Sequence, residues 1–254
     1  MRIFIVGGTS GIGLALANFY HQKGCDVGVC GRNVEKISHN HTFKKYQADI
    51  IDKEALERAL REFAGTQEVD LFINCAGSYA QDVTQSISYE QAQAMLQTNI
   101  LGCVHCFEVA SRQMRAQTSG QIVMMASVAG LLDYADASLY AKSKRSVIYI
   151  AKAYKRALSP FGIDVSVMVP GYIDTQKLRE LNNNDLSQKP FLIDEQSAVE
   201  EITSAIMHKK PLHIFPKKMK YLMLFLSVFP SWLLKIIMYQ KALWMGKNET
   251  TMRK

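Results

Sequence analysis

The chain has 254 residues, 48% of them hydrophobic and 21% charged, with only 6 prolines, which excludes disordered, collagen-like and coiled-coil classes. A chain this long buries roughly 70–75% of the surface it exposes when unfolded, so one large core is expected. The formal net charge is +7, but residues 205–254 carry ten lysines and arginines against the single acid Glu249, a net +9, while the first 204 residues carry −2.

Strands and helices alternate in chain order. Arg2–Val6 reads as a short apolar strand and Ile12–Lys23 as the helix after it. Val27–Cys30 and Phe43–Ala48 read as the second and third strands, with Lys53–Phe63 the next helix. Leu71–Asn74 is a short apolar run of the kind buried in a parallel sheet. Ser88 and Gln91 form a capping box that opens a long helix towards Gln117. Ile122–Ala126, the helix Ser138–Leu158 and Val165–Val169 continue the series, and Ala198–Met207 and Leu212–Phe215 read as a last helix and strand. Asn182–Asp185 reads as a mobile polar loop. The expected fold is α/β, a Rossmann-like doubly wound parallel sheet with right-handed crossovers. Residues 1–216 form its single domain and 217–254 an apolar, basic appendage.

Five cysteines (Cys25, Cys30, Cys75, Cys103 and Cys106) are odd in number and lie mostly in apolar stretches. They suggest no disulfide framework, hence a reducing, cytoplasmic setting. The start, MRIFIVGG, runs directly into glycines and does not read as a secretion signal. Cys103-Val-His-Cys106 lacks a second ligand pair, so no metal site is expected. His39 and His41 read as solvated, and His105 as packed on a helix face.

The first strand-to-helix turn holds Gly7, Gly8, Gly11 and Gly13. At such a turn Gly7 and Gly11 let the backbone approach a pyrophosphate, Gly13 lets the helix pack on the sheet, and the helix amino terminus supplies free N–H groups. Tyr140 and Lys144 lie one helical turn apart and share a face. A free tyrosine is a poor base at neutral pH, and a nearby ammonium stabilises its phenolate.

In order, VGGTSGIG (6–13), Asp49, NCAG (74–77), Asn99 in QTNILG, Ser127 in MASVAG, Tyr140-Ala-Lys-Ser-Lys144 and PGYIDT (170–175) make a set, with 13 positions from Ser127 to Tyr140. This set resembles the short-chain dehydrogenase/reductase family over about residues 1–216. Val6 and Cys75 depart from the family's usual threonine and second asparagine. The carboxy-terminal T-G…D-G-G stretch of soluble tetrameric members is missing, which leaves a homodimer rather than a tetramer as the expected assembly.

The resemblance implies an NAD(P)-dependent oxidoreductase acting on alcohols or carbonyls. Tyr140 would be the acid/base, Ser127 the partner of the substrate oxygen, and Lys144 a ligand of the nicotinamide ribose. Asn99 would hold a water that links Lys144 to solvent. Cofactor contacts fall on Gly7, Thr9, Ser10, Gly11, Ile12, Gly13, Asp49, Ile50, Asn74, Ala76, Gly77, Tyr140, Lys144, Pro170 and Thr175. At the end of the second strand Gly31 stands where an NAD enzyme usually carries an acid, and Arg32 offers a forked cation to a 2′-phosphate. NADP(H) is therefore expected ahead of NAD(H). Two alternatives remain open: a membrane-associated regulatory protein that binds the cofactor, and a nucleotide-sugar epimerase or dehydratase, which normally needs a larger carboxy-terminal domain.

The appendage holds fourteen apolar-rich residues, 221–234, between Lys220 and Lys235, interrupted at Pro230. A span needs about 20 apolar residues, so an in-plane anchor on an anionic membrane is expected, with a lid or a dimer surface as the other readings. Leu222, Phe225, Leu226, Phe229, Leu233 and Ile237 would face lipid, with Tyr221, Trp232, Tyr239 and Trp244 at its boundary. Nucleic acid is not implied, because the basic residues flank a greasy segment rather than striping a folded face. The expected partner is a small lipophilic carbonyl or alcohol, met in the cytoplasm or at the cytoplasmic face of a membrane.

Overall fold

In the computed structural model, which describes residues 1–37, 42–80 and 87–238, seven strands form one parallel sheet. They are β1 (Arg2–Val6), β2 (Asp26–Gly31), β3 (Lys44–Gln47), β4 (Leu71–Asn74), β5 (Gly120–Met125), β6 (Ile163–Pro170) and β7 (Leu212–Phe215). Their spatial order is β3-β2-β1-β4-β5-β6-β7, every neighbouring pair parallel. The doubly wound α/β fold is thus the observed one.

Alternation along β1 divides the core. Ile3 and Ile5 face one side, where α1 (Gly11–Gln22) and α7 (Glu195–Met207) contribute Leu16 and Ile202. Phe4 and Val6 face the other, where α2 (Lys53–Ala64), α4 (Gly102–Gln117) and α5 (Leu139–Leu158) contribute Phe63, Phe107 and Val147. Helices on both faces explain why the strands read as continuous apolar runs. Phe4 sits in an aromatic cluster, with ring centroids 5.5 Å from Phe63 and 5.8 Å from Phe72 and Tyr46. Phe4→Ala should therefore lower unfolding stability by about 3–5 kcal/mol, read as a lower urea midpoint at unchanged slope.

Three local readings are refined. The helix opened by the Ser88–Gln91 box, α3 (Tyr89–Leu96), reaches α4 through a π-helical turn, Gln97–Leu101, an insertion of the kind that re-aims side chains near functional sites. Asn182–Asp185 is a hydrogen-bonded turn after α6 (Gln176–Leu181), not an open loop. Asn184 N donates to Arg179 O at 2.8 Å, with Asn183 and Asn184 at positive φ, which asparagine tolerates. The third strand is two residues shorter than its apolar reading.

The last described segment is two helices, α8 (Lys217–Leu226) and α9 (231–238), separated at Pro230. Their inward side differs from the expected one. Met219 and Leu234 are buried, Leu222, Leu226, Phe229, Leu233 and Ile237 are half-buried, and Phe225 is 61% exposed. The anchors Met219 and Leu234 set the rotation, because residues three or four away share a helix face. No helix among the described residues is long and apolar enough to cross a membrane. His39, His41, Tyr239 and Trp244 lie outside the described residues.

Candidate active site

The order of strands reverses between β1 and β4, and the crevice beyond their carboxyl ends is where such sheets bind ligands. The glycine turn lies there. Gly7 N donates to Cys30 O and Cys75 N to Val6 O, both at 2.8 Å, tying the turn to β2 and β4. A Cβ on Gly7 would stand 2.5 Å from Ala76 N, and one on Gly13 2.2 Å from Gly7 O, so no larger residue fits either place. Gly11, at φ +50°, has no neighbouring atom within 4 Å of its would-be Cβ. Ser10 caps α1 without a side-chain bond, leaving the first amides of a 12-residue helix for a ligand beside Thr9, Ser10, Gly11 and Ile12. This cradle fits a dinucleotide pyrophosphate.

The residues expected at the adenosine end lie after β2 and β3. The side of β2 above Gly31 is filled by Thr9, whose Cγ2 would be 2.6 Å from a Cβ there, so an acid at 31 would displace it. Arg32 is exposed, and its carbonyl accepts from Gln47 Nε2 at 3.1 Å. Asp49 Oδ1 accepts from Ile51 N at 3.2 Å. Ile50 is buried against Gly102, and its carbonyl accepts from His105 Nδ1 at 3.1 Å.

The chemistry-bearing side chains converge after β4 and β5. Asn74 Oδ1 accepts from Ala76 N at 2.9 Å and fixes the turn through Gly77. Lys144, only 6% exposed, donates to Met125 O at 3.2 Å, with its Nζ 5.9 Å from the Tyr140 ring centroid. Asn99 lies on the π-helical turn. Its Oδ1 accepts from Ser78 N at 2.8 Å, and its Nδ2 donates to Ser78 O at 2.9 Å and Ser143 Oγ at 3.0 Å. Ser127 follows β5, accepts from Ala129 N at 3.2 Å and is also hydrogen-bonded to Tyr140. Pro170 ends β6, and Thr175 caps α6 by accepting from Leu178 N at 3.2 Å.

Burial governs the charges. It pushes the Tyr140 phenol up to about 12, against the pull of the Ser127 hydrogen bond. It pulls the Lys144 ammonium down to about 8, partly offset by the nearby Cys103 and Cys75 thiols. Desolvation is the larger effect on the phenol here.

Several site residues escaped the sequence reading. Tyr79 meets Tyr140 edge-on, centroids 4.9 Å apart at 76°, and the Tyr172 phenol also bears on Tyr140. Ser143 accepts from Asn99 and donates to Tyr140 O at 2.8 Å, so the π-helical turn is coupled to the α5 amino terminus. Gly77 leaves room for the ammonium, since a Cβ there would stand 3.0 Å from Lys144 Nζ. The position of Tyr79, two residues past NCAG, was the one signal available. All five thiols are free, and the described residues contain no cluster of three or more His, Cys, Asp or Glu suited to a metal.

The chain is similar to known proteins. The family model described as short chain dehydrogenase matches residues 1–186. An uncharacterised oxidoreductase of Staphylococcus aureus (strain MW2) is 26% identical over 220 residues, 83% of this chain and 91% of that protein. A short chain dehydrogenase from Burkholderia cenocepacia J2315, solved in complex with NADP, has a TM-score of 0.75 at 20% identity, covering 87% of this chain and 90% of that one. A short-chain dehydrogenase from Sphingobium yanoikuyae, in complex with NADPH, has a TM-score of 0.73 at 22% identity, covering 85% and 88%. With the family model spanning well over half of the sequence and the glycine turn, Ser127, Tyr140 and Lys144 gathered at one sheet edge, the chain belongs to the short chain dehydrogenase family and is an NAD(P)-dependent oxidoreductase.

Proposed function

We propose that the protein reduces a lipophilic carbonyl with NADPH, or oxidises the matching alcohol with NADP⁺, and that it works peripherally at an anionic membrane surface on the cytoplasmic side. Residues 1–216 are the cofactor-binding and catalytic unit in this reading, and 217–254 the appendage that meets the membrane. The observation that carries it is the meeting of Tyr140 with Ser127 and Lys144 beside the glycine turn. Bound NADPH supplies the hydride to the carbonyl carbon.

The chain's own groups handle the oxygen. Ser127 holds it by hydrogen bond as negative charge develops. Tyr140, protonated throughout the neutral range because burial raises it to about 12, gives its hydroxyl proton to that oxygen. The Lys144 ammonium stabilises the phenolate that remains and holds the nicotinamide ribose. Asn99 acts through its neighbours by pinning Ser78 and Ser143, besides holding the water that resemblance assigns to it.

Arg32 and the Thr9 side chain beside Gly31 support NADP(H). NADP and NADPH in the two solved neighbours agree with it. Arg32→Ala should weaken NADPH binding about 10- to 100-fold, the scale of a charged hydrogen bond, and leave NADH binding nearly unchanged. Titration of cofactor fluorescence measures both constants, and equal losses for the two cofactors overturn the assignment. The reaction itself is tested by following NADPH oxidation with long-chain, steroid-like and quinone-like carbonyls. If none is reduced, and none of the matching alcohols is oxidised with NADP⁺, the proposed reaction fails.

A further inference from the structure

The two closing helices lie against both segments that flank Tyr140. On α8, Met219 is buried next to Gly171, where a Cβ would stand 3.2 Å from its Cγ. Gly171 precedes Tyr172, whose phenol bears on Tyr140. On α9, Lys235 pairs with Asp136 at 2.8 Å, and Asp136 belongs to the loop that runs from Ser127 to Tyr140. The helix pair therefore touches the segments before and after Tyr140, at Asp136 and at Gly171.

The outer side of this helix pair is apolar. Tyr221, Leu224, Phe225, Val228, Trp232 and Ile236 are exposed, Val228 by 75% and Trp232 by 63%. Tyr221, Leu224 and Phe225 share a face of α8, Val228 follows in the turn, and Trp232 and Ile236 lie one turn apart on α9. Exposed Lys217, Lys218 and Lys220 border them, Lys235 is paired with Asp136, and no acid occurs between residues 205 and 238. Exposed large apolar side chains grouped within one short segment mark an interaction face. A second copy is a poor occupant, since it brings the same basic border and no acid from residues 205–238 to pair with it. An anionic lipid surface answers both features: it takes the apolar side chains into its boundary and its headgroups neutralise the lysines.

We propose that the exposed apolar side chains of α8 and α9 dock the protein on an anionic phospholipid bilayer, and that the substrate is a membrane-dissolved, long-chain carbonyl that reaches Tyr140 along this helix pair. The substrate class rests on the carbonyl reduction proposed above, whereas the dock does not. The exposed set differs from a sequence-based lipid face in presenting Tyr221, Leu224, Val228 and Ile236 while withholding Leu226 and Leu233.

The test uses the full chain with phosphatidylcholine vesicles, with and without phosphatidylglycerol, and pairs of long-chain and short-chain aldehydes, ketones and quinones. Co-sedimentation should require phosphatidylglycerol, weaken with salt, and fall at least about tenfold in the Phe225→Asp/Trp232→Asp double variant. The ratio of long-chain to short-chain turnover in vesicles should fall by about the same factor. Tyr149→Asp, at an exposed residue of α5, should leave both measurements unchanged. A full chain that stays in the supernatant with phosphatidylglycerol at low salt overturns the dock. A dimer that the double substitution dissociates, without vesicle binding, assigns the exposed set to a second copy and overturns the dock as well. Vesicle binding with an unchanged turnover ratio overturns delivery along the helix pair. Vesicle binding without reduction of any carbonyl overturns the reductase reading and leaves the dock standing.

Discussion

Tyr140→Phe is expected to lower carbonyl reduction by at least about 10²-fold, the scale of a lost general acid, while NADPH affinity stays within about threefold. The ring survives the change, so its edge-on packing with Tyr79 at 4.9 Å is retained and the fold is not disturbed. What disappears is the proton, which no neighbour supplies equally well. The Ser127 hydroxyl is oriented towards Tyr140 and the Ala129 amide. The Tyr172 phenol is itself held up by burial. Steady-state rates with NADPH and a fluorescence titration separate the two quantities. Turnover of Tyr140→Phe within about threefold of the parent would remove the acid/base role from this residue.

Lys144→Met should gain stability and lose function together. Burial lowers the Lys144 ammonium from 10.5 to about 8, so the folded state holds this proton less tightly than the unfolded chain. Its charge therefore costs stability below pH 8. That cost shrinks between pH 8 and 10.5 and is gone above, where both states are neutral. The neutral variant is expected to melt higher than the parent at pH 7, by a gain of up to about 3 kcal/mol that fades towards pH 10.5. Thermal melts at pH 7, 9 and 10.5 check the sign, and a gain that grows with pH would contradict the burial argument.

The same titration shapes turnover. Above pH 8 the parent loses the cation that stabilises the Tyr140 phenolate, so reduction should decline there. Lys144→Met should run at least about 10²-fold slower, bind NADPH more weakly, and lack that decline. A descending limb near pH 8 that persists in the variant would assign it to another group.

Features that depend on neighbours in the chain were legible in the amino-acid sequence. The apolar runs of β1 and β4 mark strands buried on both faces, and the Ser88–Gln91 box marks a helix start, because period and capping act over a few residues. The glycine turn was readable for the same reason: Gly7 and Gly13 answer to backbone approach within one β-α unit. Tyr140 and Lys144 sit one turn apart on any helix, so their shared face needed no coordinates.

Tertiary structure decided the rest, because partners distant in sequence are chosen by packing. Nothing near Asn99 announces that it bonds Ser78 and Ser143, which lie 21 and 44 residues away, nor that a π-helical turn aims it there. Whether the ammonium or desolvation governs Tyr140 depends on how far each is buried, a property of the assembled core. The tail illustrates the limit best. Its helices carry apolar residues on every side, so periodicity cannot choose an inward face. That choice fell to the burial of Met219 beside Gly171 and of Leu234, which turned Leu226 and Leu233 partly inward and left Phe225 and Trp232 in solvent.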